Sequence, residues 1–102
     1  MMFVPIGIKR IYCIFYKNGE RAEAYIGMTS KTTTTRFIEH FSYAKINPHS
    51  KSKLYQLMKQ DRNRDHYMIK ILEVITPHHN HEARDIEKYF LKALNPSLNT
   101  RR

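Results

Sequence analysis

The side chains in this sequence that could do chemistry are cations, phenols and imidazoles, with Cys13 the one thiol. Arg36 and His40 lie four residues apart in a segment of helical periodicity, so one helix would project both in the same direction. Tyr12 and Tyr25 fall in two segments of strand character that a hairpin would bring together. Lys45, Lys51, Lys53, Lys59, Arg62 and Arg64 gather around a short helical segment. Eighteen Lys and Arg against nine Asp and Glu give a net charge of +9. On a chain this small, such an excess favours a polyanionic partner, either nucleic acid or an acidic membrane surface.

Residue types of this kind stabilise negative charge that develops on oxygen during a reaction. A guanidinium fork and a divalent cation stabilise that charge in complementary ways. Mg²⁺ favours one or two carboxylates, with water filling the remaining positions. A phenol of pKa about 10 is a poor base unless nearby cations favour its phenolate. A second cluster, His78-His79-Asn80-His81-Glu82, has the spacing of helical metal ligands. Pro77 and Asn80 read instead as a turn and a helix N-cap, and no cysteine or second His pair completes a four-ligand set. The cluster is therefore expected to be the solvated start of a helix. For the basic cluster, a solvated face competes with a track for the DNA backbone, which would position a duplex without reading bases. Nothing resembles a zinc finger or a helix-turn-helix.

The elements that must position these residues read as β-β-α-α-β-α. Ile8 to Tyr16 alternates apolar and polar residues in a β-branched and aromatic setting, as a strand does. Asn18-Gly19 is a strong hairpin signal and predicts a type I′ turn, with Ala22 to Met28 returning. Taking those two as the loop pairs Ile11 with Ile26, Cys13 with Ala24 and Phe15 with Ala22 on one apolar face. The polar face then pairs Tyr12 with Tyr25, Arg10 with Gly27 and Tyr16 with Arg21. One helix begins within Thr32 to Thr35 and ends near Ile46, burying Phe37, Phe41 and Ala44. A second spans about Ser52 to Gln60 and buries Leu54, Leu57 and Met58. Tyr67 to Ile75 is a strand, apolar on both faces and so expected near the sheet centre. The last helix runs from about His81 to Leu94, with Ala83, Ile86, Phe90 and Ala93 inward and Asn95-Pro96 as its stop.

At 102 residues and 41% hydrophobic content, the chain is expected to be one folded domain, 1–102. No apolar run approaches the ~18 residues of a membrane span. Met1 to Gly7 lacks the marks of a signal peptide. A lone cysteine fits a reducing compartment, so an intracellular protein (cytoplasmic, nucleoid-associated or nuclear) is expected, with no membrane partner.

Arg10-Ile11-Tyr12, Tyr25-Ile26-Gly27 and Arg36-Phe37-Ile38-Glu39-His40 resemble the three successive motifs of the GIY-YIG nucleases. Glu87-Lys88-Tyr89-Phe90 and Asn95-Pro96-Ser97-Leu98-Asn99 resemble that family's helix-borne glutamate and terminal asparagine. The five stand in the family's order from about Lys9 to Asn99. The resemblance implies an α+β fold, a small three-stranded antiparallel sheet flanked by helices. It implies a metal-dependent DNA endonuclease with one Mg²⁺ or Mn²⁺ per site. Tyr12 matches the tyrosine that takes the proton from the attacking water, directly or through water, and Tyr25 the one that positions phosphate or water. Arg36 matches the arginine that stabilises phosphate charge, and His40 a histidine that assists the first tyrosine. Glu87 matches the single protein ligand of the metal, and Asn99 the asparagine that buttresses the site or contacts phosphate. Arg10 departs from the family by standing where it has its first glycine; it either crowds the site or adds a phosphate contact. Arg10, Lys31, Lys45, Lys51, Lys53, Arg62 and Arg64 are the candidate nucleic-acid contacts. The expected partner is double-stranded or branched DNA, with a homodimer or a partner protein supplying specificity. The competing readings are a catalytically silent nucleic-acid-binding module on the same fold and a small basic RNA-binding protein that carries the motifs by chance.

Overall fold

The structure, a computed structural model, describes residues 8–47, 49–76 and 82–99. Along the chain come β1 (Lys9–Asn18), β2 (Arg21–Thr29), α1 (Thr33–Ile46), α2 (Lys53–Gln60), β3 (Tyr67–Ile75) and α3 (Ala83–Leu94). A single 3₁₀ turn, Arg64–His66, leads into β3. The strands form one antiparallel sheet in the order β2-β1-β3. The expected order β-β-α-α-β-α and the α+β class hold. Among the described residues, no helix is long and apolar enough to cross a membrane.

The centre of the sheet is β1, not β3, which corrects the expectation drawn from the apolar character of β3. β1 is hydrogen-bonded along both edges and covered on both faces, so Ile11, Tyr12, Cys13 and Ile14 are each no more than 1% exposed. On β3, Met68, Ile71 and Val74 remain exposed, as an edge strand with less cover allows. Residues on both faces of β1 alternate between two cores. Tyr12, Ile14 and Tyr16 pack with Phe41 and Ala44 of α1 and with Leu54, Leu57 and Met58 of α2. Ile11 and Cys13 pack with Ile26, Ile75 and Ala83, and Ile86, Phe90 and Leu91 of α3 lie against them. The tyrosine face expected to be polar is thus the floor of the larger core, while Phe15 and Ala22 are exposed. Ala93, expected to face inward, is exposed, and Leu91 takes its place against the sheet.

The hairpin register also differs from expectation, by two residues. Asn18 pairs with Arg21, Ile14 with Tyr25, Cys13 with Ile26 and Tyr12 with Gly27. The loop residues are Gly19 and Glu20, with Gly19 alone of the two at positive φ (63°). That is the pattern of a type II′ turn rather than the type I′ turn expected on Asn18-Gly19. A slip of two keeps every side chain on its face, so hydrophobic alternation cannot separate the two registers. Space separates them: an added Cβ at Gly27 would lie 2.4 Å from the Tyr12 hydroxyl oxygen. Gly27 therefore makes room for the phenol of Tyr12, not for Arg10, which pairs with Thr29.

Helix starts follow the sequence closely. Thr32 Oγ1 accepts from the Thr35 N–H (3.2 Å) and Ser52 Oγ from the Tyr55 N–H (3.3 Å), capping α1 and α2. Asn95, in the left-handed conformation at φ 45°, ends α3. Pro77, His78, His79, Asn80 and His81 lie outside the described residues, so the expected His cluster does too, except for Glu82 at the N-cap of α3.

Candidate functional site

The residues carried by α1 meet the sheet at Tyr12. Its hydroxyl shares a 2.7 Å hydrogen bond with His40 Nε2, and His40 Nδ1 shares one of 3.2 Å with the Tyr55 hydroxyl. The Arg36 guanidinium, one turn before His40, lies close enough to the Tyr12 hydroxyl for its charge to favour the phenolate. A neutral imidazole has one donor and one acceptor, so of Tyr12 and Tyr55 one donates to the ring and the other accepts from it. Burial, helped by the positive Arg36, lowers His40 to about 3 and keeps it neutral. Burial raises Tyr12 above the ordinary phenol range, against the downward pull of Arg36. Tyr12 is fully enclosed, at 0% exposure.

Tyr25 stands between this buried group and solvent. Its ring lies 6.3 Å from that of Tyr12 and 5.6 Å from that of His40, centroid to centroid. Tyr25 also lines an open cleft of about 780 Å³, which runs round the edge of β2 to α3. Ser52 and Tyr55 form one wall of the cleft and Arg84, Glu87 and Lys88 another. Glu87 is close enough to Tyr25 for its negative charge to help raise that phenol. Asn99 closes the cleft by acting on backbone: its Oδ1 accepts from the Ile26 N–H and its Nδ2 donates to the Ile26 carbonyl, both at 2.8 Å. Ser97 Oγ accepts from the Ala24 N–H (3.1 Å), and the Leu98 N–H donates to the Ala24 carbonyl (2.8 Å). The residues after α3 thus cover the free edge of β2.

Tyr12, Arg36 and His40 therefore come into contact, Tyr25 joins them to the cleft, and Glu87 and Asn99 line it. The basic candidates disperse. Arg10 donates to the carbonyls of Ser30 (3.5 Å) and Lys31 (3.2 Å), tying β1 to the turn before α1. Lys31 forms an ion pair with Glu39, which also holds Arg36 at 3.2 Å. Arg62 and Arg64 lie over the Phe41 ring at 5.8 and 5.2 Å, while Lys45, Lys51 and Lys53 are exposed. Sequence reasoning missed Tyr55, Glu39 as a brace for Arg36, and the lining residues Arg84 and Lys88. Tyr55 borders the buried stripe of α2 and carries no motif, so its bond to His40 had no signal in one dimension. Among the described residues, no group of three or more His, Cys, Asp or Glu gathers as a metal site. Glu87 is, among the described residues, the one carboxylate lining the cleft.

A family model for the GIY-YIG catalytic domain matches residues 9–102. No curated protein and no solved structure gives a match.

Proposed function

This chain belongs to the GIY-YIG catalytic-domain family, and we propose that it is a metal-dependent endonuclease that hydrolyses DNA phosphodiester bonds. The observation that carries the proposal is the chain of contacts from the cleft inward, Tyr25 to Tyr12 to His40 to Tyr55, with Arg36 on Tyr12 and Glu87 across the cleft. Tyr25 meets the substrate, orienting the phosphate or the attacking water. The water's proton reaches Tyr12 by way of the Tyr25 hydroxyl, and Tyr12 gives its own proton to His40 Nε2. The proton on Nδ1 passes to the Tyr55 hydroxyl as Tyr55 releases its own proton to water in the same cleft, so no charged imidazole has to persist. Arg36 stabilises the phenolate character of Tyr12 and the charge that develops on the phosphate. His40 and Tyr55 carry the proton onward without touching the substrate in this scheme, and Asn99 holds the cleft wall at Ile26. Glu87 fits a site with one carboxylate and the remaining positions filled by water and substrate, as Mg²⁺ or Mn²⁺ accepts. A divalent ion there would supply charge stabilisation at the leaving oxygen.

One observation favours the rival reading, a catalytically silent nucleic-acid-binding module: Tyr12 is enclosed and its phenol is held in the protonated form. Plasmid nicking separates the two. With Mg²⁺, the parent should nick, EDTA should stop it, and Glu87→Ala should lose cleavage while keeping its fold. An inert parent supports the silent module. Cleavage by Glu87→Ala within about tenfold of the parent removes Glu87 as metal ligand, since loss of such a charge stabiliser costs more than that.

A further inference from the structure

A second cleft of about 750 Å³ continues from the first, and the two share Lys88, Leu91 and Asn99. Lys53 of α2 and Lys88 and Lys92 of α3 converge on it, and among the described residues no acidic side chain lines it. We propose that these three lysines form a phosphate subsite for the backbone of the nucleic-acid strand beside the bond being cut. The proposal rests on the nuclease reading above.

Two features of these positions are disfavoured by the helices alone, although Lys92 itself stands in the last turn of α3, where the dipole favours a cation. Lys53 stands in the first turn of α2, which has no acidic residue, so its charge adds to the positive end of the helix dipole. Lys88 and Lys92 are like charges at i and i+4, a mutually repelling spacing on a helix. Among the described residues none of the three forms an ion pair. Glu23, whose carboxylate feels Lys53, is already held by Arg21 at 2.8 Å. An anion in the cleft would relieve both repulsions at once. Lys88 and Lys92 are about 6 Å apart along the helix axis, on the order of one nucleotide step along a strand. A strand whose phosphate sits by Tyr25 and Glu87 would run past Lys88 and reach Lys92 and Lys53 next. Two adjoining clefts suit one strand of a polyanion, where a flat basic face would suit a membrane.

The test is fluorescence anisotropy with a labelled short DNA duplex, in a Glu87→Gln background so that the probe stays intact. Lys53→Gln/Lys92→Gln should weaken binding about tenfold at low salt and make the slope of log affinity against log salt shallower by about 2, because two phosphate contacts are lost. A charge-matched control, Lys17→Gln/Lys70→Gln, alters lysines exposed at the hairpin end and on β3 and should change affinity less than about twofold. Equal losses in the two double variants would make the attraction diffuse and overturn the subsite alone. No binding by the Glu87→Gln parent would overturn the subsite and the nuclease reading together. All four lysines are exposed, and a melting curve checks that each variant is folded.

Discussion

A methyl group at position 27 would lie 2.4 Å from the Tyr12 hydroxyl oxygen, 2.6 Å from its Cζ and 3.0 Å from Tyr25 Cε2. Tyr12 is enclosed and bonded to His40, so its ring cannot swing clear without breaking that bond. Gly27→Ala should therefore cost about 1–3 kcal/mol by overpacking. At about 4–8 °C per kcal/mol for a domain of this size, the loss is visible in a melting curve, and cleavage should fall with it. Unchanged melting and cleavage would mean that the Tyr12 phenol is not pinned. Arg36 makes a different demand, since its guanidinium serves Tyr12 and Glu39 together. Arg36→Lys keeps the charge but loses the planar fork, and kcat should drop roughly 10²-fold, as for a lost preorganised donor. A kcat near that of the parent would reduce Arg36 to an ordinary surface charge.

At the scale of elements, α1 delivers Arg36 and His40 to the sheet, β2 delivers Tyr25, and α3 faces them with Glu87 across the edge of β2. That edge would expose unpaired backbone at Ala24 and Ile26 if the segment after α3 did not cover it. Asn99 does at Ile26 what a neighbouring strand would do, offering one acceptor and one donor. Asn99→Ala should lose both bonds, about 1–3 kcal/mol of stability, and speed hydrogen exchange at the Ile26 amide. Asn99→Asp keeps the acceptor and should protect that amide partly. Exchange at Ile26 that is equal in Asn99→Ala and the parent would show that Asn99 does not hold the edge.

For the whole molecule, the buried histidine makes stability depend on pH in a definite direction. Burial first, and the charge of Arg36 second, hold His40 at about 3, below its ordinary 6.5, with Glu39 opposing weakly. Folded His40 is thus neutral where the unfolded chain begins to bind a proton. Stability should be level above about pH 7 and fall from about 6.5 toward 3, by up to about 1.4 kcal/mol per pH unit. Asp61 is held near 2, chiefly by the bond donated by Tyr16, so its contribution is lost only below its ordinary 3.8. Between pH 6.5 and 4.5 the loss belongs to His40, and His40→Gln should flatten it. Urea unfolding of both proteins at pH 7, 6 and 5 measures the difference. A parent whose midpoint does not move across that range would mean that His40 is protonated in the folded state.

Element order and helix starts were legible in the residues because their signals are local. Thr32 and Ser52 cap α1 and α2, Asn95 stops α3, and Phe41, Ala44, Leu54, Leu57 and Met58 are buried as helical spacing predicts. The family, with its order of motifs, was legible for the same reason. The hairpin register was not, because strand alternation repeats every two residues and only the collision between position 27 and Tyr12 tells the two pairings apart. Nor was the place of β3, since an apolar strand does not reveal which of its neighbours is hydrogen-bonded on both edges. Tyr55, Glu39, Lys88 and Lys92 gain their places at the candidate site from contacts between separate elements. The sequence by itself determined which elements form and which family they belong to, because both depend on neighbours along the chain. Which phenol is enclosed, which one faces the cleft and which lysines line it were decided by packing of the hairpin, α1, α2 and α3 against one another, since burial and charge depend on neighbours in space.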